Sequence, residues 1–145
     1  MVNKLLSNVM PTYGNKTLQF VKGKGCYLYT SQNKKYLDFA SGIAVNSLGH
    51  CHPKLISSLN KQSKELWHIS NLYIIKKQEQ FAKLLCKNSF ADKVFFTNSG
   101  TESIECGIKI IRGYHSYKKT GKTEIISFSG AFHGRTFGAM SAQKN

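Results

Sequence analysis

The N-terminal part of the chain carries short apolar runs separated by turn residues. The segments TLQFVKG, GCYLYTS and KYLDFA follow one another between residues 17 and 40. Apolar runs of this length, bounded by glycine and asparagine, are typical of strands joined by tight turns. This pattern predicts a small antiparallel meander. The next stretch, residues 41–52, mixes small apolar residues with two glycines and shows no period, which predicts an ordered loop.

Two amphipathic helices are predicted after this loop. Leucines recur at intervals of four and seven residues after Pro53, and proline suits the first turn of a helix. The first helix is therefore expected from Pro53 to about Leu66. A second apolar face with helical spacing predicts a helix over about 74–87. Residues 67–73 between them are either a packed connection or a functional loop.

The following pattern is strand, tight turn, helix and strand. The apolar run 93–97 ends in the sequence NSGTE, after which isoleucines repeat with helical spacing to about Tyr117. A second apolar run at 124–128 predicts another buried strand, and such a unit favours a right-handed parallel crossover. Ligands of open parallel sheets bind at the carboxyl ends of strands, so the loops after both runs should line one crevice.

Composition indicates a folded protein of about one domain. The 145 residues are 41% hydrophobic and 19% charged, which argues against a disordered chain. The four cysteines form no CxxC pair, so neither a zinc ribbon nor a disulfide scaffold is expected. No metal site is predicted, because the HCH triplet at 50–52 has no further ligands at usable spacing. The chain lacks a signal-peptide core and a membrane-spanning run, and a cytoplasmic location is expected.

The charge is strongly positive, with 21 Lys+Arg against 7 Asp+Glu. This balance keeps a noncatalytic nucleic-acid-binding module as an alternative function. The basic residues are nearly all lysines scattered over unrelated elements, which favours a solvated surface and no nucleic-acid partner. Arg112 and Arg135 are the only arginines. Each is therefore a candidate for pairing with a carboxylate through a planar fork.

The two loops after the apolar runs contain the candidate chemistry. The N–H groups of Gly100, Thr101 and Glu102 at a helix start form a phosphate site, to which the Thr101 hydroxyl adds a donor. Ordinary helix capping is the alternative, because Ser99 and Glu102 fit a capping box. In the second loop, SGAFHGRTFGAM, Phe132 offers a flat face for stacking and Arg135 a fork for a carboxylate. Phosphate, planar ring and carboxylate together describe pyridoxal phosphate carrying an amino acid. The alternative places Phe132 in the core and leaves Arg135 as a surface charge.

Four segments together resemble class III aminotransferases: DFASGIAVNSLGHCHPKL, LWHISNLY, FADKVFFTNSGTESIE and SGAFHGRTFGAM. The resemblance implies an α/β protein, the N-terminal portion of the PLP-dependent transferase fold of the aspartate aminotransferase type. It would contain the small antiparallel meander and the start of a parallel-sheet large domain. Residues 1–60 would be part of the small domain, and 61–145 would begin the domain that binds pyridoxal 5′-phosphate.

The resemblance also implies roles for particular residues. Gly100 and Thr101 match the positions that bind the cofactor phosphate, Phe132 the aromatic that stacks on the cofactor ring, and Arg135 the arginine that pairs with the substrate carboxylate. The stretch 43–45 matches a substrate-facing segment, and 70–73 a loop near the dimer interface of what is usually a homodimer. No catalytic residue is expected in this chain, because the family's Schiff-base lysine lies beyond residue 145.

The reaction implied by the resemblance is transfer of an amino group to a 2-oxo acid. N2-acetylornithine is the expected donor and 2-oxoglutarate the acceptor, as in arginine biosynthesis. Ornithine, succinylornithine and 4-aminobutyrate are alternative donors. The resemblance covers only about the first third of such enzymes, so the 145-residue chain is expected to be a fragment or truncated product that is inactive alone.

Overall fold

The computed structural model describes residues 8–14 and 16–143, and the chain forms two compact units, Met1–Tyr73 and Ile74–Asn145. The first residues of the segment predicted for the small domain lie outside the described residues. The assignment of 1–60 and 61–145 to a small and a large domain stays a prediction.

The first unit contains the predicted antiparallel meander. Its strands are β1 (Phe20–Lys24), β2 (Tyr27–Thr30) and β3 (Lys35–Leu37), paired in the order β1-β2-β3. Helix α2 (Pro53–Gln62) follows, with proline in its first turn as predicted. A single antiparallel bridge between Gly25 and His50 ties the intervening loop to the sheet.

The loop between β3 and α2 begins with a short turn, α1 (Ser41–Ala44), whose backbone is left-handed. The φ angles of Ser41, Gly42, Ile43 and Ala44 are 49°, 66°, 60° and 61°. Left-handed backbone costs about 1–2 kcal/mol for each residue that has a Cβ. A β-branched residue such as Ile43 is a marked exception there. Surrounding contacts must therefore hold this turn in place.

The second unit contains the other predicted helices. These are α3 (Lys76–Lys87) and α4 (Gly100–Tyr117). A five-residue helix, α5 (Phe137–Ser141), lies within the segment that the sequence predicted as a loop. Helix capping, the alternative use that the sequence offered for the start of α4, is confirmed. The Ser99 hydroxyl accepts a hydrogen bond from the Glu102 N–H at 3.3 Å, and the Glu102 carboxylate accepts one from the Asn98 N–H at 2.6 Å.

The two buried strands predicted at 93–97 and 124–128 do not form, and this part of the sequence-based prediction is wrong for this chain. The strands found within the described ranges are those of the meander, and no backbone hydrogen bond joins the two segments. Ile126 is 94% exposed. Strands of parallel sheets need a hydrogen-bonded neighbour and helices over both faces. Among the described residues neither run has a hydrogen-bonded strand beside it, so both stay irregular. The run 124–128 is exposed, whereas Phe96 of the first run stacks on Phe81 of α3.

The accessible surface of the chain is correspondingly large, at 14061 Å². A compact monomer of 16.3 kDa would expose about 7,500 Å², and two separate compact units of half that mass about 9,000 Å² together. Ala139 is the one hydrophobic side chain that is fully buried among the described residues. Much of the apolar surface that the sequence marks for burial is therefore uncovered within this chain.

Candidate functional site at the start of helix α4

The two loops predicted to share a crevice do come together in the second unit. The Oγ1 atoms of Thr101, in the first turn of α4, and Thr136, at the end of the second loop, lie 3.2 Å apart. Gly134 packs against the Thr101 side chain, and Glu105 of α4 contacts α5. Since the two predicted strands do not form in the part of the chain that the structure describes, these side-chain contacts hold the loop on the helix.

Gly134 sits where no other residue fits. Its φ of +129° is unfavourable for any residue with a Cβ, and a Cβ built there would lie 2.5 Å from Thr101 Cβ and 3.2 Å from Ala139 Cβ. Glycine therefore allows the loop backbone to approach the first turn of α4 directly. This close approach brings the segment that contains Phe132 and Arg135 to the helix start.

Glu105 caps α5 from a distant part of the sequence. Its carboxylate accepts hydrogen bonds from the Thr136 hydroxyl and, at 3.2 Å, from the Ala139 N–H. The side chain of Thr136, which precedes α5, makes no capping bond of its own. The hydrogen bond from Thr136, followed by those from the Ala139 and Gly138 amides, lowers the pKa of Glu105. The carboxylate is therefore favoured in its charged, accepting form.

This chain of hydrogen bonds fixes where the Thr101 hydroxyl proton goes. An ionised Glu105 only accepts, so Thr136 donates its single proton to Glu105 and must accept from Thr101. The Thr101 hydroxyl is consequently committed to Thr136. The structure thus removes it as the additional phosphate donor expected from the sequence, and leaves the backbone amides.

The amides of Gly100 and Thr101 remain available for an anion. Within the described part of the chain neither N–H group has a hydrogen-bond acceptor, and the space beside Gly100 is open, since a Cβ there would meet nothing within 4 Å. Unpaired N–H groups at the first turn of an 18-residue helix suit a phosphate. The Glu102 N–H, which the sequence also predicted as a phosphate donor, is bonded to the Ser99 hydroxyl instead. The cap and phosphate binding by Gly100 and Thr101 use different amides and are compatible.

Phe132 and Arg135 extend from the loop into solvent. Phe132 is 72% exposed, which excludes a role in the core of this chain. Arg135 is exposed and makes no ion pair or hydrogen bond within residues 8–14 and 16–143. Between them, His133 is anchored because its N–H donates to Gln143 Oε1 at 2.9 Å. An exposed aromatic face and an unpaired guanidinium therefore flank an anchored backbone.

The other stretches singled out in the sequence lie in the first unit. Ile43 and Val45 belong to the left-handed turn and the residue after it, and are 94% and 81% exposed. In the segment 70–73, Ser70 closes a local turn by accepting hydrogen bonds from the Leu72 and Tyr73 amides. Their proximity to substrate or to a second subunit stays a prediction.

Sequence reasoning missed the structural role of Glu105, which caps α5. The available signal was at Thr136. It precedes the helical run FGAMS, but no Glu or Gln follows three residues later to complete a capping box. A helix start without its own cap needs an acceptor from elsewhere.

Neither a metal site nor a membrane-spanning helix is present among the described residues. In the described part of the chain, no three His, Cys, Asp or Glu side chains gather where they could hold one metal ion. None of the helices within those ranges combines the length and the apolarity that a bilayer crossing needs.

Comparison with known proteins identifies the class of protein. The family model for class-III aminotransferases matches residues 9–145, so the chain belongs to this family. Among its relatives, the acetylornithine aminotransferase of Agrobacterium fabrum is 51% identical over 132 residues, which are 90% of this chain and 33% of that protein. The acetylornithine aminotransferase of Rhodobacter capsulatus is 49% identical over 140 residues, which are 95% of this chain and 35% of that protein.

Solved structures agree with this family. The N-acetylornithine aminotransferase of Stenotrophomonas maltophilia matches with a TM-score of 0.75 at 31% identity, over 92% of this chain and 36% of that one. The ornithine aminotransferase of Toxoplasma gondii matches with a TM-score of 0.84 at 25% identity, over 95% and 33%. The antiparallel meander and helices are consistent with the N-terminal part of the aminotransferase fold. The chain spans about a third of the length of these relatives.

Proposed function

We propose that the holoenzyme to which this chain contributes transfers the amino group of N2-acetylornithine to 2-oxoglutarate with pyridoxal 5′-phosphate as cofactor. The observation that carries the proposal is the packing of the loop 129–136 on the start of α4. This packing brings the loop with an exposed aromatic ring and an unpaired arginine to the free amides at the start of α4. The names of the most similar relatives support N2-acetylornithine as the donor.

Each part of this candidate site has a defined task in the proposal. The Gly100 and Thr101 N–H groups donate to the cofactor phosphate, and the face of Phe132 covers the cofactor ring. Arg135 pairs with the substrate carboxylate through two parallel N–H contacts, which orients the substrate. Pyridoxal phosphate supplies the electron sink that amino-group transfer needs. The residues in this chain bind and orient, and the Schiff-base lysine is expected outside residues 1–145.

The test is turnover by the purified holoenzyme. N2-acetylornithine with 2-oxoglutarate is assayed beside ornithine, succinylornithine and 4-aminobutyrate at equal concentration. The proposal expects kcat/KM to be highest for N2-acetylornithine. A higher kcat/KM for another of these donors would assign the protein to a different branch of the same family. Absence of turnover with every donor, in enzyme shown to contain bound cofactor, would reject the proposed function.

Location and assembly belong to the same proposal. We expect a cytoplasmic homodimer, in keeping with biosynthetic chemistry on small soluble amino acids. Light scattering on the eluted holoenzyme measures the assembly. A gel shift at physiological salt tests the nucleic-acid alternative, because phosphate-driven binding would weaken steeply as salt rises. Nucleic-acid binding with that salt dependence would favour the alternative function, a noncatalytic basic nucleic-acid-binding module.

A further inference from the structure

Arg135 lies between two neighbours that are both held on helix α4. Before it, Gly134 packs against the Thr101 side chain. After it, the Thr136 hydroxyl donates a hydrogen bond to the Glu105 carboxylate. The guanidinium of Arg135 is exposed and makes no ion pair or hydrogen bond among the described residues. The place of Arg135 is therefore set by the anchors on either side of it.

The anchor after Arg135 is a carboxylate enclosed by the start of α5. Glu105 Oε1 accepts hydrogen bonds from the Thr136 hydroxyl and, at 3.2 Å, from the Ala139 N–H. A Cβ built on Gly138 would lie 2.8 Å from Glu105 Cδ, so the carboxylate packs directly against the helix backbone. Hydrogen bonds to a carboxylate are about twice as strong as those between neutral groups. Glu105 is therefore the strongest link between α4 and the end of the loop.

The Thr136 hydroxyl is not needed by α5 itself. The Thr136 side chain makes no capping bond, and its backbone, with φ −82° and ψ 160°, is extended. Its carbonyl accepts the hydrogen bond from the Met140 N–H at 2.8 Å, which involves no side chain. A β-branched residue without a hydroxyl can adopt the same conformation. The bond between Thr136 and Glu105 can therefore be removed while the start of the helix is kept.

We propose that Glu105 is a positioning residue that, through Thr136, sets the place of Arg135 relative to the phosphate-binding amides at the start of α4. The inference rests on the proposed function, in which these amides bind the cofactor phosphate and the guanidinium binds the substrate carboxylate. A fixed separation between the two anion-binding groups orients the substrate on the cofactor. Glu105 acts through Thr136 and touches neither cofactor nor substrate.

The two anchors predict a separation between substrate binding and cofactor binding. When the anchor after Arg135 is lost, the anchors before it remain, since Gly134 keeps its packing on α4 and the His133 N–H its bond to Gln143 Oε1. Phe132 lies on that side of the loop, so the aromatic cover of the cofactor ring stays in place. Carboxylate binding should therefore weaken while cofactor binding changes little.

The experiment measures KM and kcat of holoenzyme variants separately. Thr136→Val removes the hydroxyl at nearly constant volume, and the KM for N2-acetylornithine should rise about tenfold with kcat within about threefold, because binding shared by ground and transition states is lost. Thr136→Ser keeps the hydroxyl and should stay within about twofold of the parent KM. Titration of both apoenzymes with pyridoxal phosphate should give a Kd within about threefold of the parent value.

A second measurement requires no turnover. Glutarate has two carboxylates and neither an amino nor an oxo group, and its Kd for the holoenzyme is measured by calorimetry. This Kd should rise about tenfold in Thr136→Val and stay within about twofold in Thr136→Ser. A merely structural role of the bond would lower the amount of folded or cofactor-loaded enzyme, and would leave KM and the glutarate Kd of the loaded enzyme unchanged.

Variants at the carboxylate test whether Glu105 and Thr136 act as one unit. Glu105→Ala should raise KM at least as much as Thr136→Val, and the double variant should exceed the larger single effect by less than about twofold, since both changes remove the same bond. Gly138→Ala favours the helix but displaces the carboxylate, so it should also raise KM. Glu79→Ala removes an exposed carboxylate of α3 and should leave KM unchanged. If Glu105→Ala does not fold, Gly138→Ala takes its place.

The outcomes separate this inference from the proposed function. Parent enzyme that contains cofactor and uses none of the donors rejects the proposed function. Parent enzyme that transfers the amino group, with KM or the glutarate Kd unchanged in Thr136→Val, overturns the positioning role alone. Multiplied effects in the double variant also overturn it. A raised KM and glutarate Kd with retained cofactor, restored in Thr136→Ser, support it.

Discussion

Replacing Gly134 by alanine should detach the second loop from the start of α4. The left-handed φ of +129° is a conformation for which a side chain costs about 1–3 kcal/mol. The new methyl would also overlap Thr101 and press on Ala139, and such overpacking costs about 1–3 kcal/mol more. The total is about 2–6 kcal/mol. If loop docking and cofactor binding are coupled, cofactor affinity should fall by at least about 25-fold, since 1.4 kcal/mol is tenfold.

A matched control separates the two causes of this loss. Gly130, in the same loop, has a φ of +76° but open space around it, so Gly130→Ala should cost only the backbone penalty of about 1–2 kcal/mol. The assay is titration of apoenzyme with pyridoxal phosphate. In a double-mutant cycle, Thr101→Gly should recover the overpacking part of the Gly134→Ala loss. Equal losses at both glycines, or no recovery with Thr101→Gly, would refute the close-packing argument.

The remaining predictions concern three side chains of the site. Arg135→Lys should lower kcat/KM about 10- to 100-fold for amino and oxo acids while the cofactor stays bound, because Lys keeps the charge but loses the two parallel N–H contacts. Arg112→Lys is the control. Unchanged kinetics in Arg135→Lys would remove Arg135 from the site. Thr101→Pro should weaken cofactor binding about tenfold or more, because it deletes an amide. Thr101→Ala keeps the amide and should change cofactor binding less than about threefold. Equal cofactor occupancy in folded Thr101→Pro and parent enzyme would count against the phosphate site. The lowered pKa of Glu105 means that its contribution to stability is present above its ordinary value of 4.5 and is lost as the pH falls through the depressed value. Glu105→Gln should therefore flatten the acid limb of a urea-unfolding profile, and an unaltered limb would contradict the capping role.

The sequence predicted those elements whose stability is local. The meander and helices α2, α3 and α4 follow from alternation, helical spacing and turn residues, and the cap of α4 from Ser99 and Glu102; α1 and α5 fall in segments predicted as loops. The runs at 93–97 and 124–128 carried an equally strong signal but form no strands. Their stability depends on neighbouring strands and covering helices, which no local pattern contains.

The candidate site divides in the same way. The NSGTE turn and the AFHGR loop could be predicted as binding segments, because glycine, threonine, phenylalanine and arginine each suit one part of the ligand. The bond from Glu105 to a helix more than thirty residues away could not be predicted, and neither could the left-handed turn beneath which Asp38 and His50 lie. Both features depend on which distant segments come into contact. The sequence alone does not show which of many donors a carboxylate will meet.

The capping of α5 by Glu105 also has a consequence for the order of folding. Helix α4 carries its own cap and can begin to form from local contacts, on a timescale of microseconds or less. Helix α5 has only five residues, and the acceptor that caps its N-terminus is Glu105 of α4. Its first turn is therefore stabilised only after α4 has formed. Mutations within the first turns of α4 should therefore slow the formation of α5, while mutations in α5 should mainly accelerate its unfolding. The loop that contains Phe132 and Arg135 would thus be ordered late, after the helix on which it rests.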